Sequence, residues 1–239
     1  MGDCGDCDCD AYHFSVDQSD HCRDTFFDCA SLAARADQYR DVASGLLLFT
    51  QMAHIILASS SPRRQELLRQ LGLDFDSYSP DVDEAVQDGE TVEQYVERLA
   101  RDKAQVVLNQ YPEAIVIAAD TSLSFAGKII GKPESKQHAF EIWSALSGQW
   151  HDVYSGICVA SSSKILSTVV RTQVEFQRLS DAEMEKYWAT GEPIGKAGAY
   201  AIQGIAAQYI PQIRGSYSNV VGLPLYETVQ LLESIKASV

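Results

Sequence analysis

The chain has 239 residues, 46% of them hydrophobic and 22% charged, ordinary values for a soluble globular protein with a sizeable core. Its net charge of -14 argues against nonspecific nucleic-acid binding, which needs basic surface, but not against a small anionic ligand, for which the local field decides. Charge and cysteine are unevenly spread. Residues 1–51 hold ten Asp, no Glu and three Arg, together with five of the six cysteines (Cys4, Cys7, Cys9, Cys22, Cys29). The remainder carries only Cys158 and so cannot form an internal disulfide, which fits a reducing cytoplasm. The run Cys4-x2-Cys7-x-Cys9 with His13, His21 and Cys22 lacks the paired spacing of a zinc finger. An acidic start disfavours a secretory signal. The stretch from Val42 to Ala58 contains Gln51 and His54 and is short for a membrane span. Met52 stands directly before the first strand of the body. The expected division is an acidic, disordered extension over 1–51 and a folded domain over 52–239.

Strand and helix signals alternate through the body. Ile55 to Ala58 reads as a buried strand, and a helix from Pro62 carries Leu67, Leu68 and Leu71 on one face before Gly72 closes it. Asp74 to Ser79 can form a short strand. Thr91 and Gln94 make a capping box that opens a helix running to about Tyr111, with Leu99, Val106 and Val107 on or near its apolar face. Ile115 to Ala119 is a second fully apolar strand, expected to end at Asp120, and a hairpin bends at Ala126-Gly127. A helix from about Lys136 to Leu146 stops at Gly148. Val153 to Val159 and Val170 to Phe176 read as two strands around a turn near Ser161 to Lys164, the second alternating so that one face meets solvent. Ser180 and Glu183 box in another helix, and a last one begins around Leu223-Pro224. Together these elements make one α/β domain with a mixed sheet.

The most informative segment is Ser59-Ser60-Ser61-Pro62-Arg63-Arg64, set where a buried strand turns into a helix. Pro62 suits the first helical position, and the unpaired N–H groups of that turn, with the positive end of the dipole, favour an anion. Arg63 and Arg64 can add bidentate contacts to phosphate oxygens. Asp120, at the expected end of a strand, can act as a general base or help hold a metal. Asp81, Asp83 and Glu84 follow Pro80, and with Asp120 they can seat Mg²⁺ or Mn²⁺. Gly127-x3-Gly131-Lys132-Pro133 is one residue short of a P-loop and lacks its Ser/Thr, so Lys132 is read as a single phosphate contact. Lys103, inside the second helix, sits where a lysine is ordinarily solvated. Gln203, in the glycine-flanked run Gly198 to Gly204, can offer a donor and an acceptor to a nucleobase. No Ser-His-Asp pattern, nucleophilic Cys or HExxH occurs.

Taken in order, Ala58 to Arg64, Asp83-Glu84, Ala119-Asp120-Thr121, Gly131-Lys132-Pro133 and Ala145 to Gly148 resemble the Maf family of nucleoside triphosphate pyrophosphatases, also called septum-formation inhibitors. Gly191-Glu192-Pro193, Lys196 to Tyr200 and Gly222 to Leu225 extend the resemblance, which covers nearly all of Ile55 to Glu233 and none of residues 1–51. It implies an α/β fold of the Maf and inosine-triphosphate-pyrophosphatase type, with two lobes about an elongated mixed sheet and a cleft between them. It also implies hydrolysis between the α- and β-phosphates with a divalent cation, and makes Asp120 the proton acceptor. Arg63, Thr121 and Gln203 match the set of the dTTP/UTP subgroup. Ser122 and Ser124 stand where many members carry aliphatic residues.

On that resemblance the substrate is dTTP or UTP. Ser59, Arg63, Arg64 and the helix start bind the triphosphate, Lys132 and Lys103 assist, and Thr121 and Gln203 complete the substrate site. Glu84 and Asp120 hold the metal, and Gln203 reads the pyrimidine edge. Neither nucleic acid nor a membrane is an expected partner, the expected compartment is the cytoplasm, and a homodimer stays open. The competing readings are a nucleotide-binding regulator of division without turnover and a scaffold recruiting a partner through its extension.

Overall fold

Ile55–Leu57 (β1) is buried on both faces, as a strand inside a covered sheet must be. Leaving it, the chain makes helix α1 (Pro62–Arg69) and a short outer strand, β2 (Asp76–Ser77), parallel to β1. The computed structural model describes residues 53–237; the extension expected over 1–51 lies outside them. The long helix α2 (Val92–Gln110) opens on the capping box of Thr91 and Gln94. Then follow β3 (Ile115–Phe125), β4 (Lys128–Ile130), α3 (Lys136–Leu146), β5 (Trp150–Ala160), β6 (Ile165–Glu175), α4 (Asp181–Trp188), β7 (Gln212–Arg214), α5 (Tyr217–Val221) and α6 (Leu225–Lys236). Among the described residues no helix is long and apolar enough to cross a membrane.

The sheet order is β2-β1-β3-β5-β6-β7, with β1 parallel to both β2 and β3 and the remaining pairs antiparallel, so the expected mixed sheet is present. Alternation along the strands sends side chains to opposite faces. Ile56, Ala58, Val116, Ala118 and Cys158 meet Ala100, Ala104 and Val107 of α2 on one face. Leu57, Ile117, Ala119 and Ile157 join Leu68, Trp143, Tyr187 and Leu232 on the other. Val106, expected near the apolar face of α2, is exposed instead. It stands between the buried positions Ala104 and Val107, rotated out of their stripe by the 100° step of the helix.

Asp120 does not end its strand. β3 continues to Phe125 because Val116 to Ser124 pair without a break with β5 along one edge. Along the other edge β1 covers Ile115 to Ile117 and β4 covers Leu123 to Phe125. Ala118 to Ser122 therefore lie between two partner strands and are covered by neither. What ends at this level is the parallel pairing. The β3–β4 turn bends at Ala126 and Gly127, both with positive φ (49° and 75°), as a two-residue hairpin requires.

Helix α2 lies close against β5 at Gly156, where an added Cβ would strike the Val96 carbonyl. Backbone cannot rotate aside as a side chain can. Gly156→Ala therefore lowers stability by about 1–3 kcal/mol. A thermal melt unchanged by this substitution would show that the approach has slack.

His151 on β5 is 2% exposed, and its Nε2 shares a hydrogen bond of 2.7 Å with the Tyr200 hydroxyl. Burial pushes its pKa down to about 4 from 6.5, with the Asp152 charge opposing. Between those values the unfolded chain holds a proton that the folded chain excludes. Stability is therefore full above pH 6.5 and falls as the pH drops towards 4, by about 3 kcal/mol in total. Urea midpoints across that range should show the slope, and His151→Gln should flatten it.

Candidate active site

Helix α1 begins with an open N-terminus. Ser61 at the cap makes no side-chain bond to the first turn, Pro62 follows, and no acidic residue occupies that turn. Its leading N–H groups and dipole are thus left to an anion. Ser59 Oγ accepts from the Ser61 N–H at 3.2 Å and from Arg64 Nη1 at 3.3 Å, which folds the serine run over the helix start.

Arg64 is held by three acceptors. Nε donates to the Gly222 carbonyl at 2.8 Å, Nη2 to Thr121 Oγ1 at 3.1 Å and Nη1 to Ser59. One N–H on each terminal nitrogen stays uncommitted, a pair suited to two oxygens of one phosphate. Burial lowers the Arg64 pKa, while the charges of Asp120 and Glu84 oppose the shift. Behind it runs a buried chain of hydroxyls. Thr121 Oγ1 lies 2.8 Å from Ser155 Oγ, which donates to the Asn219 carbonyl at 3.1 Å. The Asn219 amide donates to Val153 O and Thr172 Oγ1, tying α5 to β5 and β6 and so placing Gly222. The Arg63 side chain makes no hydrogen bond among the described residues. Burial lowers its pKa, and the adjacent Arg64 charge adds to this.

On the opposite face, Lys103 Nζ donates to Asp120 Oδ1 at 2.6 Å and to Glu84 Oε1 at 2.8 Å. Lys103 is buried, contrary to the ordinary expectation for a helix lysine. It falls on the stripe of Val96, Ala100, Ala104 and Val107, the face α2 turns to the sheet, where the even-numbered side chains of β3 emerge. Asp120 is buried too. Glu84 comes from a loop pinned by α2: Tyr95 Oη donates to Glu84 O at 2.9 Å and Arg98 Nη2 to Ala85 O at 3.0 Å. Arg98 is itself clamped by both oxygens of Glu90. Partial burial raises the Glu84 pKa, but the hydrogen bond and charge of Lys103, helped by Lys132 at 3.4 Å, hold it below the usual carboxylate value. Burial and the charges of Asp120 and Glu84 push Tyr95 up to about 12.

These groups line one cleft of about 490 Å³. It gathers Ser59, Arg63, Arg64, Glu84, Lys103, Asp120, Thr121 and Lys132, eight of the nine residues expected from the sequence. Gln203 is exposed in the turn before the 3₁₀ segment Ile205–Tyr209 and is not among the lining residues. Sequence reasoning did not single out Lys196, Tyr200 or the carbonyl of Gly222. All three fall in segments that carried the resemblance without an assigned role. The Ser155–Asn219 relay left no sequence signal, because buried hydroxyl and amide partners have no characteristic spacing.

Asp120 and Glu84 offer hard oxygen donors converging on one cation, the Lys103 ammonium, so the pair fits a divalent ion of the Mg²⁺ type. No third His, Cys, Asp or Glu joins them among the described residues. An ion held here would complete its coordination with phosphate oxygens and water.

A helix start, a half-buried arginine and paired carboxylates thus share one cleft. The chain belongs to the Maf family: residues 54–235 match the family model described as Maf-like protein. It is 74% identical over 181 residues to the dTTP/UTP pyrophosphatase of Acinetobacter baylyi, covering 76% of this chain and 99% of that one. The protein of the same name from Colwellia psychrerythraea is 50% identical over 183 residues, covering 74% of this chain and 86% of the relative. That from Myxococcus xanthus is 49% identical over 179 residues, covering 75% and 91%.

Lys103→Met leaves two carboxylates without their shared cation. The Glu84 carboxyl should then titrate above its position in the unaltered protein, read by carbon NMR of the labelled side chain. An unmoved titration would mean that Lys103 does not set its charge.

Proposed function

We propose that this chain hydrolyses dTTP and UTP to the nucleoside monophosphate and pyrophosphate. The observation that carries the reading is the placing of Asp120 and Thr121, adjacent in sequence, on opposite faces of β3 at its uncovered edge. One joins the carboxylates and Lys103, the other joins the arginine seat, and both line the same cleft. The high identity to relatives named for that activity supports it.

In this mechanism the triphosphate lies across the start of α1, with its oxygens on the uncommitted N–H groups of Arg64 and on Arg63 and Lys132. The orientation exposes the α-phosphorus to water on the Asp120 side. Asp120 accepts a proton from that water through the oxygen not bound to Lys103, as the water oxygen bonds to phosphorus and the α–β bridge breaks. The departing pyrophosphate keeps the bridging oxygen, and its charge is met by the guanidinium and ammonium groups. Lys103 holds Asp120 and Glu84 side by side, and its hydrogen bond and charge favour the ionised Glu84 carboxylate. Glu84 and Asp120 are the residues that would hold Mg²⁺ or Mn²⁺, which when bound offsets charge on the phosphoryl group and the leaving pyrophosphate.

Asp120→Asn should fold and still bind dTTP while losing about 10²–10⁴-fold in kcat, the usual worth of a positioned base. Pyrophosphate release from dTTP, measured for both proteins, checks this, and equal rates would remove Asp120 from the role. Binding without turnover by the unaltered protein would favour a nucleotide-binding regulator instead.

A further inference from the structure

One cation lining the cleft has no part in the phosphoryl chemistry above. Lys196 lies on the loop from Gly195 to Tyr200, of which Gly195, Lys196, Ala197 and Tyr200 line the cleft. The loop is tightly determined. The Gly198 N–H donates to the Gly131 carbonyl at 3.0 Å, and Trp143 Nε1 donates to the Ala199 carbonyl at 3.1 Å. A Cβ at Gly198 would collide with the Leu123 side chain. Gly198 and Ala199 are successive left-handed residues, at φ 68° and 58°. For alanine that conformation costs on the order of 1 kcal/mol, and it persists because the surrounding contacts leave no alternative.

The ammonium of Lys196 has a single hydrogen bond among the described residues, 3.3 Å to the Ile194 carbonyl. The nearby Glu192 carboxylate is otherwise engaged, accepting from Tyr187 Oη, the Ile205 N–H and the Ala206 N–H. Burial lowers the Lys196 pKa, and the Arg63 charge adds to this while Glu192 opposes it. The N–H groups of Lys196 are thus available to an acceptor on a ligand.

Its surroundings indicate which acceptor. Glu84 and Lys103 gather about Asp120. The Lys196 loop instead packs on Leu123, and Leu123, Ala197, Tyr200 and Val153 give the cleft an apolar wall suited to a flat ring. A lysine there is a donor only. Thymine and uracil present carbonyl oxygens at positions 2 and 4, whereas cytosine carries an amino group, itself a donor, at position 4. We propose that Lys196 is a specificity-determining residue, donating to the position-4 oxygen of thymine or uracil and leaving the amino group of cytosine without an acceptor. This rests on the reading of the chain as a dTTP/UTP pyrophosphatase.

The test compares the full chain with Lys196→Met and Lys196→Arg. The ratio of kcat/KM for dTTP over dCTP should fall about tenfold or more in Lys196→Met and be retained in Lys196→Arg. Competitive inhibition by inorganic tripolyphosphate should stay within about twofold throughout. An unchanged ratio overturns the proposal. So does a loss of tripolyphosphate affinity in step with that of dTTP, which would put the lysine on the phosphates. Calorimetric binding of dTMP against dCMP reads the same contact without turnover. A wild type that fails to hydrolyse dTTP therefore sinks the proposed activity, while equal loss of dTMP and dCMP affinity in Lys196→Met sinks only this inference.

Discussion

The buried ammonium of Lys103, bonded to Asp120 and Glu84 at once, is the constraint around which the rest of the cleft is arranged. Two carboxylates that converge on one point repel each other unless a cation stands between them. Taking such a group out of water costs more than a well-packed apolar substitute would, so its presence in the core is poorly explained by stability alone. Each member comes from a different kind of element. Asp120 is a strand residue fixed by uninterrupted pairing with β5, Lys103 belongs to a capped helix of 19 residues, and Glu84 sits on a loop with no regular structure. The loop partner is the one that needs outside help, and Tyr95 and Arg98 supply it from the same helix that carries Lys103. A single helix thus sets the position of both the cation and one of its anions.

The sheet explains why so much chemistry fits in one place. Adjacent strand residues point to opposite faces, so Asp120 and Thr121 ordinarily would serve two separate environments. Here β1 stops opposite Ile117 and β4 ends opposite Leu123, so along this edge the stretch between is bordered by no strand. Both faces open into the same space at that gap. Thr121 meets Arg64 from the α1 side, and Asp120 meets Lys103 from the α2 side. The site needs no extra domain, only a break in strand coverage a few residues long.

Much of this was legible in advance, for reasons that differ from element to element. The capping boxes at Thr91 and Ser180 place their helices because side chain and backbone bond reciprocally over three residues, a purely local event. The serine–proline–arginine run places the start of α1 for the same local reason. Asp120 was found but its strand was cut short. The end of a fully apolar run resembles the end of a strand, and the pairing that carries β3 on to Phe125 depends on β5, some thirty residues later. Lys103 was expected at the site as a helper of the triphosphate, and it lines the cleft, but its bonds go to Asp120 and Glu84, partners 17 and 19 residues away that spacing along the helix does not reveal. Strand β7, helix α5 and the relay through Ser155 and Asn219 were not foreseen. Their short segments carry too few residues to establish a period, and their stability comes from contacts far away in the chain.

The bond from Arg64 to the Gly222 carbonyl spans 158 residues. A growing polypeptide therefore emerges with its helix start, its acids and its lysine long before the last acceptor of that guanidinium exists. Until α5 docks, the arginine lacks one of its three anchors and the cleft lacks the wall formed by Val220 to Gly222. Vectorial synthesis thus leaves completion of the cleft to the final stretch of the protein, and a ribosome that stalls before residue 222 releases a sheet whose cleft is unfinished.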